Sequence, residues 1–349
     1  MNIDKNKFLI FLMFILYVAW SFIFFESSTV YENIVTAYDE IRYLNATDLL
    51  LIDLKQYGFL YTLENYYNYS QSVHFLHYFV LAFIRYFFND SMFFWMVYQL
   101  LIYCIGAFYF SRYMYLEYDF IKIEYVKYTA LLILVYPVFL YLSFSLMRDI
   151  SIFCLLSMAL FFYKKNNFFR LFLILILLSF YRINMMLCIL FYIFVDQIKI
   201  DGLSKLFIYF LISCVLLYGV DLVSFGFISK SLGRVDDFNV LNVMTEALSF
   251  MFSPLPFTID INLPEYLRLW FKISFIICLV LMIFNLILLI YKKFTIISPS
   301  LPIVMMSLLY IIIYSTEVGV GFRQASILLP FIYIPVLFFI IEILRKNHN

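Results

Sequence analysis

Long apolar runs separated by short polar segments dominate the pattern along the chain. Runs long enough to cross a bilayer cover residues 8–25, 92–111, 128–146, 206–226, 270–291, 296–314 and 326–344. Shorter runs cover residues 150–163, 169–181 and 184–195. A helix needs about 20 apolar residues to cross roughly 30 Å of hydrocarbon. The pattern therefore predicts an all-α, polytopic membrane protein with about ten spanning helices, the shorter runs included.

Composition agrees with lipid as the solvent. Of the 349 residues, 65% are hydrophobic and only 13% are charged, whereas soluble domains are about half apolar and a quarter charged. The runs do not alternate every second position, which disfavours a β-barrel. The five cysteines are isolated in apolar runs and predict neither a disulfide nor a zinc site. We expect one integral membrane domain over residues 1–349, and the net charge of +1 gives no indication of a nucleic-acid partner.

The distribution of basic residues predicts the orientation of the chain. Residues 74–88 are apolar but short, and they carry His74, His77 and Arg85. If they do not cross, more of the 24 Lys and Arg residues lie on the cytoplasmic side, as the positive-inside rule requires. We therefore expect both termini in the cytoplasm and residues 74–88 as an interfacial helix. Two long loops then face outward, residues 26–91 and 227–268.

Several ionisable residues fall at or near the predicted membrane depth. Such residues cost at least about 2.5–3.5 kcal/mol to insert, so they usually have a partner or a function. Arg148 and Asp149 interrupt the hairpin of residues 128–163, Arg182 interrupts the hairpin of residues 169–195, and Arg323 precedes the last span. Arginine binds phosphate with two parallel hydrogen bonds. The four residues are candidates for a phosphate site; the alternative is anchoring in the headgroup region.

Asp39 and Glu40 lie near the start of the first outer loop. Close to an arginine-lined cavity, one of these carboxylates would be a candidate general base; alone, the pair is typical of a solvated acidic loop. His74 and His77 are three residues apart, which predicts one helix face. Together with Asp39 or Glu40 they could bind a divalent ion, but the spacing is unspecific and interfacial polar anchoring is the favoured interpretation. We expect no metal or other cofactor, with a divalent ion as the alternative.

These motifs, in this order, are similar to those of the GT-C superfamily, the membrane glycosyltransferases that use polyprenyl-phosphate-linked sugars. The similarity covers roughly residues 1–195 and 315–335, and it is carried by Asp39-Glu40 before Tyr43, the interfacial helix, Tyr136-Pro137 with Ser143, Arg148-Asp149, and Arg323 before Pro330. The chain also resembles Wzy-type O-antigen polymerases, which have arginine-bearing periplasmic loops. The motifs do not separate the two families.

The resemblance implies an enzyme of the bacterial inner membrane in O-antigen or capsule assembly. It would transfer a sugar or repeat unit from an undecaprenyl phosphate or diphosphate to an acceptor glycan at the periplasmic face. Arg148, Arg182 and Arg323, with Asp149, would bind the donor phosphate, and Asp39 or Glu40 would be the catalytic base. A transporter or flippase for lipid-linked glycans is the alternative. The acidic loop and the unequal halves of the chain favour the enzyme.

Overall fold

The computed structural model describes residues 2–26, 38–65, 75–89, 91–197 and 322–348. All regular structure within these ranges is helical, which confirms the predicted all-α class for this part of the chain. The helices are α1 (Asn2–Glu26), α2 (Tyr38–Glu64), α3 (Phe75–Phe87), α4 (Met92–Glu117), α5 (Val126–Leu134), α6 (Pro137–Ser143), α7 (Asp149–Lys164), α8 (Phe168–Gln197) and α9 (Phe322–His348). A short 3₁₀ turn, Ile123–Tyr125, precedes α5.

Two of the described helices are long and apolar enough to cross a bilayer, Phe93–Glu117 and Phe168–Gln197. The ten-span arrangement stays a prediction. Its spans at residues 206–226, 270–291 and 296–314, and its second outer loop at residues 227–268, lie outside the described residues.

The first predicted outer loop contains two helices rather than one. Besides α3, the structure has the 27-residue helix α2 where the sequence analysis predicted an acidic loop. Its buried residues Tyr43, Thr47, Leu50 and Leu54 recur at helical spacing and therefore form one stripe. α2 packs along α3, with an ion pair between Asp48 Oδ1 and Arg85 Nη1 at 2.7 Å.

The predicted span over residues 128–146 is broken into α5 and α6. The break falls at Val135 and Tyr136, directly before Pro137. Proline has no N–H to donate, so the Ile133 carbonyl loses its regular helical donor. The backbone N–H of Tyr136 (2.9 Å) and the hydroxyl of Tyr103 donate to this carbonyl instead. The Tyr17 hydroxyl donates to the neighbouring Leu134 carbonyl at 2.6 Å, which attaches α1 to α5.

The two short spans predicted at residues 169–181 and 184–195 form a single helical segment, α8, that is interrupted at Arg182. The backbone there is extended, with φ −164° and ψ 98°, while helical hydrogen bonding continues on both sides.

The chain consists of two compact units, each with its own set of internal contacts. Among the described residues, the first unit holds the chain up to Leu116 together with Lys122–Ile183, and the second holds Glu117–Ile121 and everything from Asn184 on. The core of the first unit includes Leu81, Trp95 and Leu146, with Leu44 and Tyr98 packed against them. In the second unit, Tyr192 donates to Glu117 at 3.4 Å. The candidate site lies within the first unit.

Candidate functional site

The segment between α6 and α7, residues 144–148, is not helical, and side chains from α3 and α4 bind its backbone. Three consecutive carbonyl oxygens are contacted: Ser145 O by Trp95 Nε1 (3.2 Å), Leu146 O by His77 Nε2 (2.9 Å) and Met147 O by Gln99 Nε2 (2.9 Å). Buried carbonyl groups without a helical partner need such donors. This segment, defined here as the 144–148 break, is therefore held in one conformation by its neighbours.

The local structure of α3 and α4 explains how the three donors reach the break. Trp95 and Gln99 are four residues apart on α4, so they lie on the same helix face. His77 is fully buried on α3. Its ring is 4.9 Å from the Tyr43 ring and 5.4 Å from the Trp95 ring, both in edge-on geometry. Aromatic packing of this kind fixes the orientation of the imidazole.

Arg148 and Asp149 follow the break and begin α7. Their residues are only 7% and 2% exposed. Arg148 Nη1 donates to the Tyr181 carbonyl at 3.4 Å, and its Nε has no hydrogen-bond partner among the described residues. No carboxylate of the described chain lies within ion-pair distance of Arg148. A buried guanidinium is thus left with one long bond to a neutral carbonyl.

Arg182 lies at the interruption of α8 and is 5% exposed. Its Nη1 is 3.9 Å from Asp149 Oδ1, the outer limit of an ion pair. The two arginines predicted at helix interruptions therefore differ: Arg182 reaches the Asp149 carboxylate, whereas Arg148 reaches the backbone carbonyl of Tyr181, the residue before Arg182. The interruption also exposes the Tyr181 carbonyl, which becomes the acceptor for Arg148. Asp149 thus lies closer to Arg182 than to the guanidinium beside it in sequence.

Charge and burial act together on His77. Burial first, and then the positive charge of Arg148, lower the pKa of His77 from 6.5 to about 3; the hydrogen bond to Leu146 and the Asp149 charge oppose this only in part. The imidazole is therefore neutral at physiological pH. It adds no second positive charge beside Arg148.

The other predicted site residues are located only by their backbone. Asp39 and Glu40 lie in the first turn of α2, and Arg323 lies in the first turn of α9, within the second unit. Their side chains, and His74 as a whole, lie outside the described residues. The predicted meeting of Asp39, Glu40 and Arg323 with the other arginines stays a prediction.

In the described ranges, no group of three His, Cys, Asp or Glu side chains is placed to hold a metal ion. His77, considered above as a ligand with His74, instead directs Nε2 at the Leu146 carbonyl. An interfacial anchor would be partly exposed to the membrane surface, whereas His77 is fully buried.

The sequence analysis did not identify Gln99, Trp95 or Tyr181 as site residues. A signal for Gln99 was available, because an amide in an apolar run at membrane depth needs a hydrogen-bond partner. Tyr181 is found only through its carbonyl, whose exposure depends on the interruption one residue later. No local pattern indicated which aromatic side chain would contact the 144–148 break.

Comparison with known proteins adds no relative to this geometry: no protein-family model, no curated protein and no solved structure matches the chain.

Proposed function

We propose that the chain is a polytopic membrane glycosyltransferase with about ten spans and a GT-C-like arrangement, acting on a sugar or repeat unit carried by undecaprenyl phosphate or diphosphate. Its location would be the bacterial inner membrane, with both termini in the cytoplasm and the site facing the periplasm. The acceptor would be a growing surface glycan. The observation that carries the proposal is Arg148, a buried guanidinium without a carboxylate partner in the described chain.

The buried Arg148 guanidinium is a favourable binding site for an anionic group. Isolated buried charges are costly, so a permanently charged guanidinium is stabilised by a bound anionic group. Arg148 also lies at the N-terminus of α7, where the helix dipole adds partial positive charge. Arg182 is the second donor near this point. A phosphate group, with several acceptor oxygens, is the ligand that matches a guanidinium best.

The length of α7 supports a position of the site below the membrane surface. Its 16 residues span about 24 Å as a helix, and Lys164 and Lys165 mark the opposite end. The hydrocarbon layer is about 30 Å thick. If the lysines lie at the inner boundary of the hydrocarbon, Arg148 lies about 6 Å below its outer boundary. A polyprenyl phosphate presents its phosphate group near this boundary.

The reaction would be a displacement at the anomeric carbon. The acceptor hydroxyl oxygen forms the new bond to the anomeric carbon. At the same time the bond between this carbon and the donor phosphate oxygen breaks, and its electron pair remains on the phosphate. Arg148 and Arg182 stabilise the negative charge that develops there. Asp39 or Glu40 accepts the proton of the acceptor hydroxyl.

A flippase for lipid-linked glycans is the second candidate, because transporters form their binding sites at interrupted helices. The interruptions beside Arg148 and at Arg182 match this feature. A deletion strain separates the two functions by its lipid-linked intermediates. Single repeat units accumulated on the outer leaflet indicate a polymerase, and an intermediate lacking one sugar indicates a monosaccharide transferase. Intermediates retained on the inner leaflet would reject the enzyme in favour of the flippase.

Substitution of Arg148 tests the carrying observation directly. We expect Arg148→Gln in the full chain, reconstituted in nanodiscs, to weaken binding of a polyprenyl phosphate by about 10-fold or more, since a charge-assisted hydrogen bond contributes about 1.5–3 kcal/mol. Arg112→Gln is the matched control, because Arg112 lies at the other end of α4 over the Phe108 ring. Equal affinities of wild type and Arg148→Gln would contradict the phosphate site.

A further inference from the structure

The Leu146 and Met147 carbonyls determine which side-chain atoms of His77 and Gln99 point at the break. The remaining polar atom of each side chain is then available to another partner. A carbonyl oxygen can only accept, so the His77 Nε2 atom facing Leu146 O at 2.9 Å must carry the proton. The neutral ring then presents Nδ1 as an acceptor. In the same way, Gln99 directs its NH₂ group to Met147 O at 2.9 Å and presents Oε1 as an acceptor. These assignments follow from the hydrogen-bond partners.

Both acceptor atoms are buried and have no donor among the residues that the structure describes. His77 Nδ1 and Gln99 Oε1 lack a hydrogen-bond partner there, and both residues are 0% exposed. Buried acceptors are nearly always satisfied in folded proteins. Asp149 Oδ1 is in the same state, apart from its long ion pair with Arg182. These three acceptors belong to residues that contact the break, His77 and Gln99, or follow Arg148 directly, Asp149.

We propose that His77 and Gln99, defined here as the acceptor pair, bind hydroxyl groups of the ligand whose phosphate Arg148 binds. The inference rests on the proposed function and specifies its substrate: a phosphate ester of a polyhydroxylated group, as in a sugar phosphate. Specificity for the sugar would come from α3 and α4, and affinity for the phosphate from α7. The acceptor pair would then be specificity-determining, with no role in breaking the glycosidic bond.

The chemistry of the pair favours hydroxyl groups over other donors. Both side chains are neutral, and the nearby Arg148 charge disfavours an ammonium group at the same place. A ligand that carries both a phosphate and hydroxyl groups satisfies both parts of the site. Its phosphate binds the guanidinium, and its hydroxyl groups donate to the acceptor pair. A bare phosphate would leave the acceptor pair unsatisfied.

The test compares two lipids on the full-length protein in nanodiscs: a short-chain polyprenyl phosphate, and the same polyprenyl phosphate carrying one hexose. Screening several hexoses gives the preference of the wild type as a ratio of dissociation constants. We expect the wild type to bind at least one hexose-bearing lipid about 10-fold more tightly than the bare phosphate. Gln99→Met and His77→Phe remove an acceptor each and should reduce this ratio about 5- to 10-fold, with affinity for the bare phosphate kept within about threefold.

A conservative variant separates ligand binding from support of the backbone. Gln99→Glu keeps an acceptor oxygen but loses the donor to Met147 O. We expect it to retain the preference for the hexose-bearing lipid, whereas a purely structural role of Gln99 predicts the same loss as in Gln99→Met. Ser157→Ala is the matched control, because Ser157 is also fully buried, two turns along α7.

The outcomes separate this inference from the proposed function. A wild type that binds every lipid of the set with equal affinity overturns the acceptor pair and leaves the phosphate site standing; this result does not depend on any variant folding. A wild type that binds none of them overturns the phosphate site itself. Loss of preference in Gln99→Glu equal to that in Gln99→Met also overturns the inference.

Discussion

Individual side chains bind backbone carbonyls at three interruptions in the described part of the first unit: before Pro137, at the 144–148 break and at Arg182. Tyr103 and Tyr17 bind the carbonyls before Pro137, Trp95 binds the 144–148 break with the acceptor pair, and Arg148 binds the carbonyl before Arg182. In an apolar environment an unsatisfied backbone group costs several kcal/mol. Broken helices in this chain are therefore stable only together with these specific polar side chains.

Removal of the Tyr103 hydroxyl tests this substitution of bonds. Tyr103 is fully buried, and Tyr103→Phe leaves the Ile133 carbonyl with less than its full complement of donors. Because the Tyr136 N–H still donates to this carbonyl, we expect a loss of about 0.5–1.5 kcal/mol of unfolding free energy, measured as a lower melting temperature in detergent. Tyr128→Phe, at a side chain that is 49% exposed, is the control and should change little. Equal melting temperatures of the two variants would show that the hydroxyl does not stabilise the break.

His77 makes stability depend on pH. In the unfolded chain its pKa has the ordinary value of 6.5, whereas burial, followed by the Arg148 charge, lowers it to about 3 in the folded chain. The unfolded state therefore binds the proton first as the pH falls from 7 towards 3, and folding stability is lost over this window. Above pH 7 the imidazole is neutral in both states and has no effect.

The expected difference is about 1–2 kcal/mol at pH 5, from 1.36 kcal/mol for each pH unit below 6.5. Melting temperatures of wild type and His77→Gln, measured at pH 7.5 and pH 5, isolate this contribution because all other ionisable groups are shared. Wild type should lose more stability than the variant on acidification. Parallel losses would show that His77 is protonated with its ordinary pKa in the folded chain.

At the scale of helices, Gly106 permits α4 and α7 to approach closely. A Cβ atom at this position would lie 3.1 Å from two Phe153 ring atoms and 3.2 Å from the Cys154 Cα. The ring has some freedom to move, but the backbone atom does not. Small residues at such contacts let helix backbones meet, so the identity of residue 106 sets the distance between α4 and α7.

Enlarging Gly106 should therefore separate these helices. We expect Gly106→Val to lower the unfolding free energy by about 1–3 kcal/mol, the usual cost of overpacking. Ile105→Val, an apolar volume change at the partly buried neighbouring position, is the control. Melting curves in detergent provide the measurement. A Gly106→Val protein with wild-type stability would mean that α4 and α7 can move apart without cost.

The same elements show how far the sequence predicts the structure. Apolar runs predicted α1, α4, α7 and α9, because burial and length are local properties of these segments. α2 was not predicted, because its acidic residues are typical of a loop. The helical spacing of the stripe from Tyr43 to Leu54 was the signal that could have identified it. Arg148 and Arg182 were identified by charge at depth; in the structure Arg182 reaches Asp149, and Arg148 reaches the carbonyl of Tyr181 beside Arg182. The roles of His77 and Gln99 depend on carbonyls distant in sequence, which no local pattern encodes.

At the scale of the whole molecule, the orientation across the bilayer decides whether the proposed site can meet an outer-leaflet substrate. The end of α2 at Glu64 belongs to the predicted outer loop, and the turn after α7 at Lys165 belongs to a predicted cytoplasmic one. Both residues are exposed, and both belong to the first unit. Each residue can therefore be replaced by cysteine and tested with a membrane-impermeant thiol reagent, which labels it in intact cells only if it lies on the outer side.

We expect Glu64→Cys to be labelled in intact cells and Lys165→Cys only after the membrane is permeabilised, since α7 separates Arg148 from Lys165 by most of a bilayer. The unsubstituted chain gives the background; Cys104, Cys154 and Cys188 are buried and should react little. Labelling of Lys165→Cys but not Glu64→Cys in intact cells would turn the arginine site towards the cytoplasm, where nucleotide sugars rather than outer-leaflet lipids would meet it. Labelling of both would place the two turns on one side and remove α7 as a spanning helix. Only the first pattern is compatible with a periplasmic phosphate site at Arg148.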